Sequence, residues 1–188
     1  MYQKYQTEAL VLGSRERGEA DRVFALYTRD FGLVWARASG VRNEASLMRY
    51  ALQSGAHAQV GLVRGKRGWR LAGAVALGQL RGSAGVAIFA RVALLVLRLV
   101  HGQEEDQYLF DALAQAHRAL AMEEAPLATI EIICVARVLY ALGYISTEAM
   151  ETTLFAHTTY ALPHLEEAEL HKEKLLSSIN KAIAETQL

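Results

Sequence analysis

The sequence is poor in several residues that mark specialised proteins. Among its 188 residues there is one cysteine, Cys134, so no internal disulfide can form. There are only two prolines, 8% aromatic residues and no long Ser/Pro-rich linker. What is present is globular in character, with 52% hydrophobic and 21% charged residues, enough to bury a core. We expect Cys134 to be a buried structural thiol, because it lies in an apolar helical run.

Long apolar runs are also scarce. Residues 82–100 are long enough to span a bilayer, but they contain Arg91 and Arg98, seven residues apart on one helix face. This spacing predicts a buried core helix with a polar stripe rather than a membrane span. The first 13 residues carry Gln, Lys and Glu before any apolar run, which does not fit a signal peptide. We therefore expect a cytoplasmic protein with no membrane partner.

The formal net charge is zero, but the charges are unevenly placed. Residues 1–80 carry 12 Lys and Arg against 6 Asp and Glu, a net charge of +6, which leaves −6 for residues 81–188. Such asymmetry is typical of a nucleic-acid-facing part joined to an ordinary part, although chance segregation of surface charge gives the same count.

The first 80 residues have the alternation of β-strands. We predict strands at 7–12, 21–28, 34–39, 56–63 and 69–77, turns at 29–32 and 65–68, and a helix at 44–52. Periodicity alone indicates a small all-β domain. The position of the helix, between the third and fourth strands, favours a five-stranded OB-fold barrel.

Residues beyond Ser83 have helical spacing. Helices are predicted at 83–101, ending before Gly102, at 106–122, from Pro126 to Leu142, at 147–155 and at 165–186. They would form an all-α bundle. We thus predict an α+β chain with an OB-fold domain at 1–80 and a helical domain at 81–188.

The order of several short motifs carries a resemblance to a known family. The run from Thr7 to Leu12, the segment Gly18-Glu19-Ala20-Asp21-Arg22, then Thr28 and Gly32, and finally Ala38 to Arg42 resemble the N-terminal OB domain of the RecO family. The helical part is similar more loosely, mainly at Ala141 to Tyr144. The resemblance implies a bacterial DNA-repair and recombination mediator associated with the nucleoid.

The chain departs from that family in three places. Many RecO proteins carry a four-cysteine zinc module soon after the Leu-Gly landmark, whereas this chain has Ile145-Ser146-Thr147-Glu148 and no later cysteine. We therefore predict a shortened form that lacks the zinc module, with no metal and no cofactor. The chain is also shorter than most members, and Ser54-Gly55 follows Gln53 where the family usually has Pro and a bulky residue.

DNA binding would use the basic residues of the barrel, because phosphates require cations at spaced positions. The candidates are Arg37, Arg42, Arg49, Arg64, Lys66, Arg67 and Arg70. Four of them cluster at the 65–68 turn, which would project from the barrel; a solvated loop tip is the alternative. Trp35 and Trp69 could stack on bases, but we favour burial in the barrel core for both.

No catalytic constellation is visible. Glu19, Asp21 and Arg22 fit an ion-pair or turn-capping role better than acid–base chemistry. Residues 61–66 are one residue short of a phosphate-binding loop, and no Ser or Thr follows the lysine. His164, Glu167 and His171 would share a helix face, but the two histidines lie too far apart for one metal. We predict a protein that is not an enzyme.

The helical part offers a partner-binding hypothesis. RecO-like proteins bind the mediator RecR and dock the acidic C-terminal tail of single-strand DNA-binding protein on this part. A groove lined by Arg91, Arg98, Arg118 or Arg137 could receive such a tail, unless these arginines pair with acids inside the bundle.

The resemblance implies two alternative functions. The first is a mediator that binds single- and double-stranded DNA, promotes strand annealing and helps to load recombinase. The second is an adaptor without DNA binding that bridges a RecR-like protein and single-strand DNA-binding protein.

Overall fold

Alternating apolar residues in the first 80 residues build five strands. The computed structural model describes residues 3–43, 46–122, 125–146 and 152–186. Its strands are β1 (Lys4–Arg17), β2 (Asp21–Thr28), β3 (Gly32–Ala38), β4 (His57–Gly65) and β5 (Gly68–Gly78). They close a barrel in the order β1-β2-β3-β5-β4, with helix α1 (Met48–Ala51) between β3 and β4. The predicted OB-fold barrel is therefore confirmed.

Strand β2 is buried on both faces, which explains its apolar run. Phe24 and Leu26 point into the barrel, whereas Ala25 and Tyr27 pack against helices on its outside. The same alternation in β1 sends Val11 inward. A register shift after Val11 marks a bulge. Beyond the bulge, β1 continues to pair with β2 as far as Arg17.

Five further helices follow the barrel in the described part of the chain. They are α2 (Ser83–Leu99), α3 (Gln107–Leu120), α4 (Leu127–Ala141), α5 (Leu162–Leu170) and α6 (Lys172–Glu185). The Asp106 carboxylate accepts a hydrogen bond of 2.8 Å from the Leu109 N–H and so starts α3. Gly143 has a φ of +78° directly after the end of α4, as expected for a helix terminator.

Barrel and helices share one apolar cluster. Leu10, Leu12 and Tyr27 of the barrel pack in it with Phe89 of α2 and Phe110 of α3. Gly32 lies at a close approach between the two parts, because an added Cβ would overlap the Glu104 carbonyl oxygen. The predicted division at residue 80 into two domains stays a prediction, and the shared cluster ties the stability of the two parts together.

Four predicted elements need correction. The helix predicted at 44–52 is only Met48–Ala51; the N–H groups of Ser46 and Arg49 donate to carbonyl oxygens three residues back rather than four, and residues 44 and 45 lie outside the described residues. The helix predicted at 165–186 is two helices, because the backbone leaves helical geometry at His171 (φ −100°, ψ 13°).

The third correction concerns 147–155. Residues 147–151 lie outside the described residues, and 152–155 form a bend and turn rather than a helix. The helix predicted to end before Gly102 ends earlier, at Leu99, where Val100 is already extended. Among the described residues no helix is long and apolar enough to cross a membrane, and α2 buries one face while Arg91 and Arg98 are exposed.

Candidate nucleic-acid interface

A row of basic residues crosses the outer face of four barrel strands. Arg15 of β1 pairs with Val23 of β2, Val23 pairs with Arg37 of β3, and Arg37 pairs with Arg70 of β5. Directly paired residues lie on the same face of a sheet, so the three arginines project from one surface. The β2–β3 face is where OB folds bind oligonucleotides.

This face and the β4–β5 hairpin enclose an open cavity of about 500 Å³. Lys66 and Arg67 form the two-residue tip of the hairpin, and both are exposed. We call this surface the basic interface. Its lining residues are Arg15, Arg17, Val23, Trp35, Arg37, Gly65, Lys66, Arg67, Gly68, Trp69 and Arg70.

The two tryptophans have opposite environments. Trp69 is 5% exposed, packs edge-on against Tyr5 and donates a 3.1 Å hydrogen bond to Gln103, so its predicted core position is confirmed. Trp35 is 46% exposed, and the core position favoured for it is wrong. Its position in β3 is out of phase with the inward residues Val34 and Ala36, which puts the indole on the outer face.

The indole of Trp35 lies among cations. The Arg15 guanidinium is 5.3 Å from the centre of the Trp35 ring, a cation–π distance. This contact holds a large flat apolar surface at the centre of the basic interface. A cationic groove with an exposed aromatic ring is the arrangement used to bind single-stranded nucleic acid.

Asp21 fixes one edge of the basic interface. Its carboxylate accepts hydrogen bonds from the Gly40 N–H at 2.8 Å and from the Arg37 guanidinium, with Nε at 2.8 Å. The bond from Gly40 and that from Arg37 lower the pKa of Asp21 below its ordinary value. The predicted ion-pair and turn-capping role is thus confirmed for Asp21. Arg22, from the same motif, pairs with Glu16 at 3.4 Å.

The seven basic residues predicted to bind DNA fall into separate places. Arg37, Lys66, Arg67 and Arg70 line the basic interface. Arg64 does not line it and lies with its guanidinium 5.4 Å from the centre of the Trp69 ring. Arg42 and Arg49 line a different pocket beside α1.

Two members of the basic interface, Arg15 and Arg17, were not predicted from the sequence. The apolar pattern of the first strand ends at Leu12, so the polar residues after it read as a loop. Their signal is the i, i+2 spacing, which places both arginines on one face once β1 is extended to Arg17.

The four arginines predicted to bind a partner do not line one groove. Arg91 donates two 2.7 Å hydrogen bonds to Glu131, the pairing within the bundle that was the alternative. Arg98 and Arg118 are exposed, on α2 and α3.

Arg137 is fully buried, and its predicted surface role is therefore wrong. Its guanidinium donates to the carbonyl oxygens of Leu154, Thr158 and Thr159 at 2.9 to 3.0 Å and lies 4.8 Å from the Tyr160 ring centre. It satisfies backbone carbonyl groups of non-helical residues in the range 154–159, which explains why a charge lies in the core.

The residues present do not fit the zinc module of the resembling family. Within the described ranges no group of three or more His, Cys, Asp or Glu side chains is placed to hold a metal ion. Cys134 is buried in α4, as predicted, and burial raises the pKa of its thiol to about 12. A thiol in that state is a packing group rather than a metal ligand or nucleophile.

Comparisons with known proteins concern the barrel. Residues 1–73 match the family model described as Recombination protein O N terminal. A protein of Heliobacterium modesticaldum named DNA repair protein RecO is 47% identical over 62 residues, which are 33% of this chain and 23% of that protein. Proteins of the same name from two strains of Desulfitobacterium hafniense are 42% identical over 62 residues, with the same shares. The match thus spans less than a quarter of the length of these relatives.

Proposed function

The N-terminal barrel of this chain belongs to the Recombination protein O N-terminal family, and from this premise we propose that the protein acts in DNA repair and recombination by binding DNA at the basic interface. The observation that carries the proposal is the row of Arg15, Arg37 and Arg70 across four strands, with the exposed Trp35 beside it.

Charge neutralisation supplies the binding energy. The arginine and lysine side chains take the place of counterions on the phosphates, so affinity falls steeply as salt rises. Lys66 and Arg67 lie at a hairpin tip, where they would contact the DNA phosphates first. Arg15 and Arg17 would then bind the DNA backbone along β1. Because these contacts are with phosphates, binding is largely independent of sequence.

Trp35 gives the basic interface a preference for unpaired bases. An indole that is 46% exposed offers a stacking surface, and base–aromatic stacking is worth about 1–3 kcal/mol per base. A duplex keeps its bases stacked on each other, so this term is available only to single strands. We therefore propose that the protein binds both DNA forms and holds single strands with their bases accessible for annealing.

The mediator role needs no bond to be made or broken. In this proposal the protein is not an enzyme; it brings complementary strands together and helps to load recombinase on DNA. The RecR-like protein and the tail of single-strand DNA-binding protein are the proposed partners. Arg98 and Arg118 are exposed and, unlike Arg91, form no ion pair among the described residues, so we propose that they receive the acidic tail.

The alternative is an adaptor that has lost DNA binding and only bridges the two partners. Asp21 favours this alternative to a degree, because it engages Arg37 and removes one cation from the basic interface. The two proposals differ in one measurable property, the affinity of the purified protein for DNA.

Fluorescence anisotropy of labelled single- and double-stranded oligonucleotides over a salt series separates them. The variant Lys66→Glu/Arg67→Glu reverses two exposed charges in a turn and leaves the strand pairing intact. The matched control, Lys174→Glu/Lys181→Glu, makes the same charge change on α6, outside the basic interface. We expect salt-sensitive binding that falls by about tenfold or more in the first variant and much less in the control. Absence of wild-type binding at low salt would leave the adaptor as the function.

A further inference from the structure

A second basic pocket lies at the end of the barrel beside α1. Alternation along β1 separates it from the basic interface, because Arg15 and Arg17 point to one face of the β1–β2 hairpin and Ser14 to the other. The pocket has a volume of about 370 Å³ and shares no lining residue with the basic interface. We call it the end pocket.

The end pocket combines an apolar floor with a cationic rim. Phe24, Val41 and Leu52 are almost fully buried and form the floor. Arg22, Arg42 and Arg49 provide three guanidinium groups, and the remaining lining side chains are Ser14, Gln53 and Ser54. Hydroxyl, amide and guanidinium groups around an apolar floor suit a ligand that is flat and apolar at one end and anionic at the other.

The described residues compensate the positive charge of the end pocket only in part. Glu16 lies 3.4 Å from both Arg22 and Arg42, a long distance for a charge-assisted bond, and its own side chain is 59% exposed. No ion pair between Arg49 and a carboxylate occurs among the described residues; its guanidinium lies over the ring of Tyr50 and donates a 2.7 Å bond to the Tyr50 hydroxyl.

One buried polar atom of a lining residue lacks a partner among the described residues. The Nε of Arg22 is buried, and no hydrogen-bond acceptor reaches it within the part of the chain that the structure describes. Buried donors are nearly always satisfied, so the Arg22 guanidinium is incompletely partnered; its side chain is 41% exposed, and an anion in the pocket would meet its Nη groups rather than Nε. A phosphate oxygen has the charge and the lone pairs for that role.

We propose that the end pocket binds a 5′-phosphorylated nucleoside, with the phosphate held by Arg22, Arg42 and Arg49 and the base on the apolar floor. Two sources offer this chemistry, a free nucleotide and the 5′ end of a DNA strand. The site is additional to the basic interface and does not require that the basic interface bind DNA.

Nuclear magnetic resonance titration of the full chain tests the proposal, with the arginine Nε–H signals as probes. We expect 5′-dAMP to shift the Arg22 signal, and deoxyadenosine, which lacks the phosphate, to bind about tenfold or more weakly. Inorganic phosphate should bind more weakly than 5′-dAMP because it leaves the floor uncovered. An unmoved Arg22 signal at saturating 5′-dAMP would overturn the proposal.

Two variants and a control place the ligand. Gln53→Glu adds a negative charge at an exposed position on the rim and leaves the core intact, and we expect about tenfold weaker 5′-dAMP binding. Arg49→Ala should lose a similar factor, with partial recovery in Arg49→Lys. Lys174→Glu on α6 should change nothing. Equal 5′-dAMP affinity in the wild type, Gln53→Glu and Arg49→Ala would refute the site.

The source of the nucleotide is tested in the Lys66→Glu/Arg67→Glu background. Tighter binding of an oligonucleotide with a 5′-phosphate than of its 5′-hydroxyl twin identifies a strand end as the ligand. Equal binding of the two, together with 5′-dAMP binding, identifies the free nucleotide. Failure of the basic interface to bind DNA would leave the 5′-dAMP result unchanged, so the two proposals fail separately.

Discussion

At the residue scale, Arg137 shows how a buried charge is kept. It makes no ion pair among the described residues but donates to three backbone carbonyls of the segment between α4 and α5. The spacing of apolar residues in α4 does not distinguish Arg137 from an exposed arginine. Its role could not be predicted from the sequence, because it depends on irregular backbone that is far away along the chain.

Replacing Arg137 with methionine keeps the volume of the side chain but removes its donors. We expect the free energy of unfolding to fall by about 3–5 kcal/mol, because three carbonyl oxygens lose their partner in the core. Urea unfolding followed by circular dichroism measures this. The control Arg98→Met changes an exposed arginine on α2 and should stay within about 0.5 kcal/mol. Equal effects of the two changes would contradict the account of Arg137.

His117 predicts a pH dependence of stability. Its ring packs against Phe89 and His57, with Nε2 2.8 Å from the Gly55 carbonyl oxygen. Burial is the main cause that lowers its pKa to about 4. The unfolded chain binds a proton on this residue near pH 6.5, whereas the folded chain does so only near pH 4. The stability that the neutral ring contributes is therefore lost as the pH falls from about 6.5 to about 4.

The variant His117→Gln keeps a donor for Gly55 but does not titrate. The difference in free energy of unfolding between the wild type and this variant should shrink by on the order of 2 kcal/mol from pH 7 to pH 4.5, because only the wild type loses the contribution of His117. Urea midpoints at the two pH values measure the gap. His57 is also buried with a lowered pKa and titrates in both proteins; its repulsion of a protonated His117 occurs only in the wild type and adds to the loss there. A gap that is constant with pH would contradict this assignment.

At the element scale, β1 decides how the basic interface is composed. The bulge after Val11 changes the register, and Arg15 and Arg17 then lie beside Trp35 and Arg37. The tip at Lys66 and Arg67 was predictable, because Gly-Lys-Arg-Gly is a strong turn signal. The polar end of β1 was not, because its strand conformation depends on pairing with Arg22 and Val23 of β2.

The double variant Arg15→Ala/Arg17→Ala should reduce the salt dependence of DNA binding. Each phosphate contact that is lost lowers the slope of log affinity against log salt by about 0.7 for single strands. We therefore expect a slope that is smaller by about 1 to 1.4, measured by anisotropy between low and moderate salt. An unchanged slope with unchanged affinity would show that the DNA does not follow β1.

At the scale of the whole molecule, barrel and helices bury one core. Leu10 and Tyr27 face α2 and α3 rather than solvent, which the alternation in β1 and β2 allowed but did not specify. The sequence predicted the five strands, the barrel and the helical character of the rest. It did not predict the contact between the two parts, because both faces of β2 are apolar and either could have been the interior.

This shared core predicts a single unfolding transition. Both tryptophans lie in the barrel, whereas circular dichroism at 222 nm reports mainly the helices after residue 82. The two signals should give the same urea midpoint, because loss of either part exposes the cluster around Phe89 and Phe110. Two separated midpoints would show that the predicted domains at 1–80 and 81–188 are independently stable.

In the proposed complex, DNA lies across the face of the barrel that carries Trp35. Tryptophan fluorescence tests this placement most directly. The two tryptophans differ in exposure, so Trp35→Phe and Trp69→Phe each leave one reporter. We predict that a saturating thymine oligonucleotide quenches the emission of the wild type and of Trp69→Phe and that Trp35→Phe shows little quenching. The binding free energy of Trp35→Phe should weaken by less than the about 1–3 kcal/mol per base that complete loss of an aromatic ring costs, because phenylalanine still stacks. Strong quenching and unchanged affinity in Trp35→Phe would place the DNA elsewhere and contradict the account.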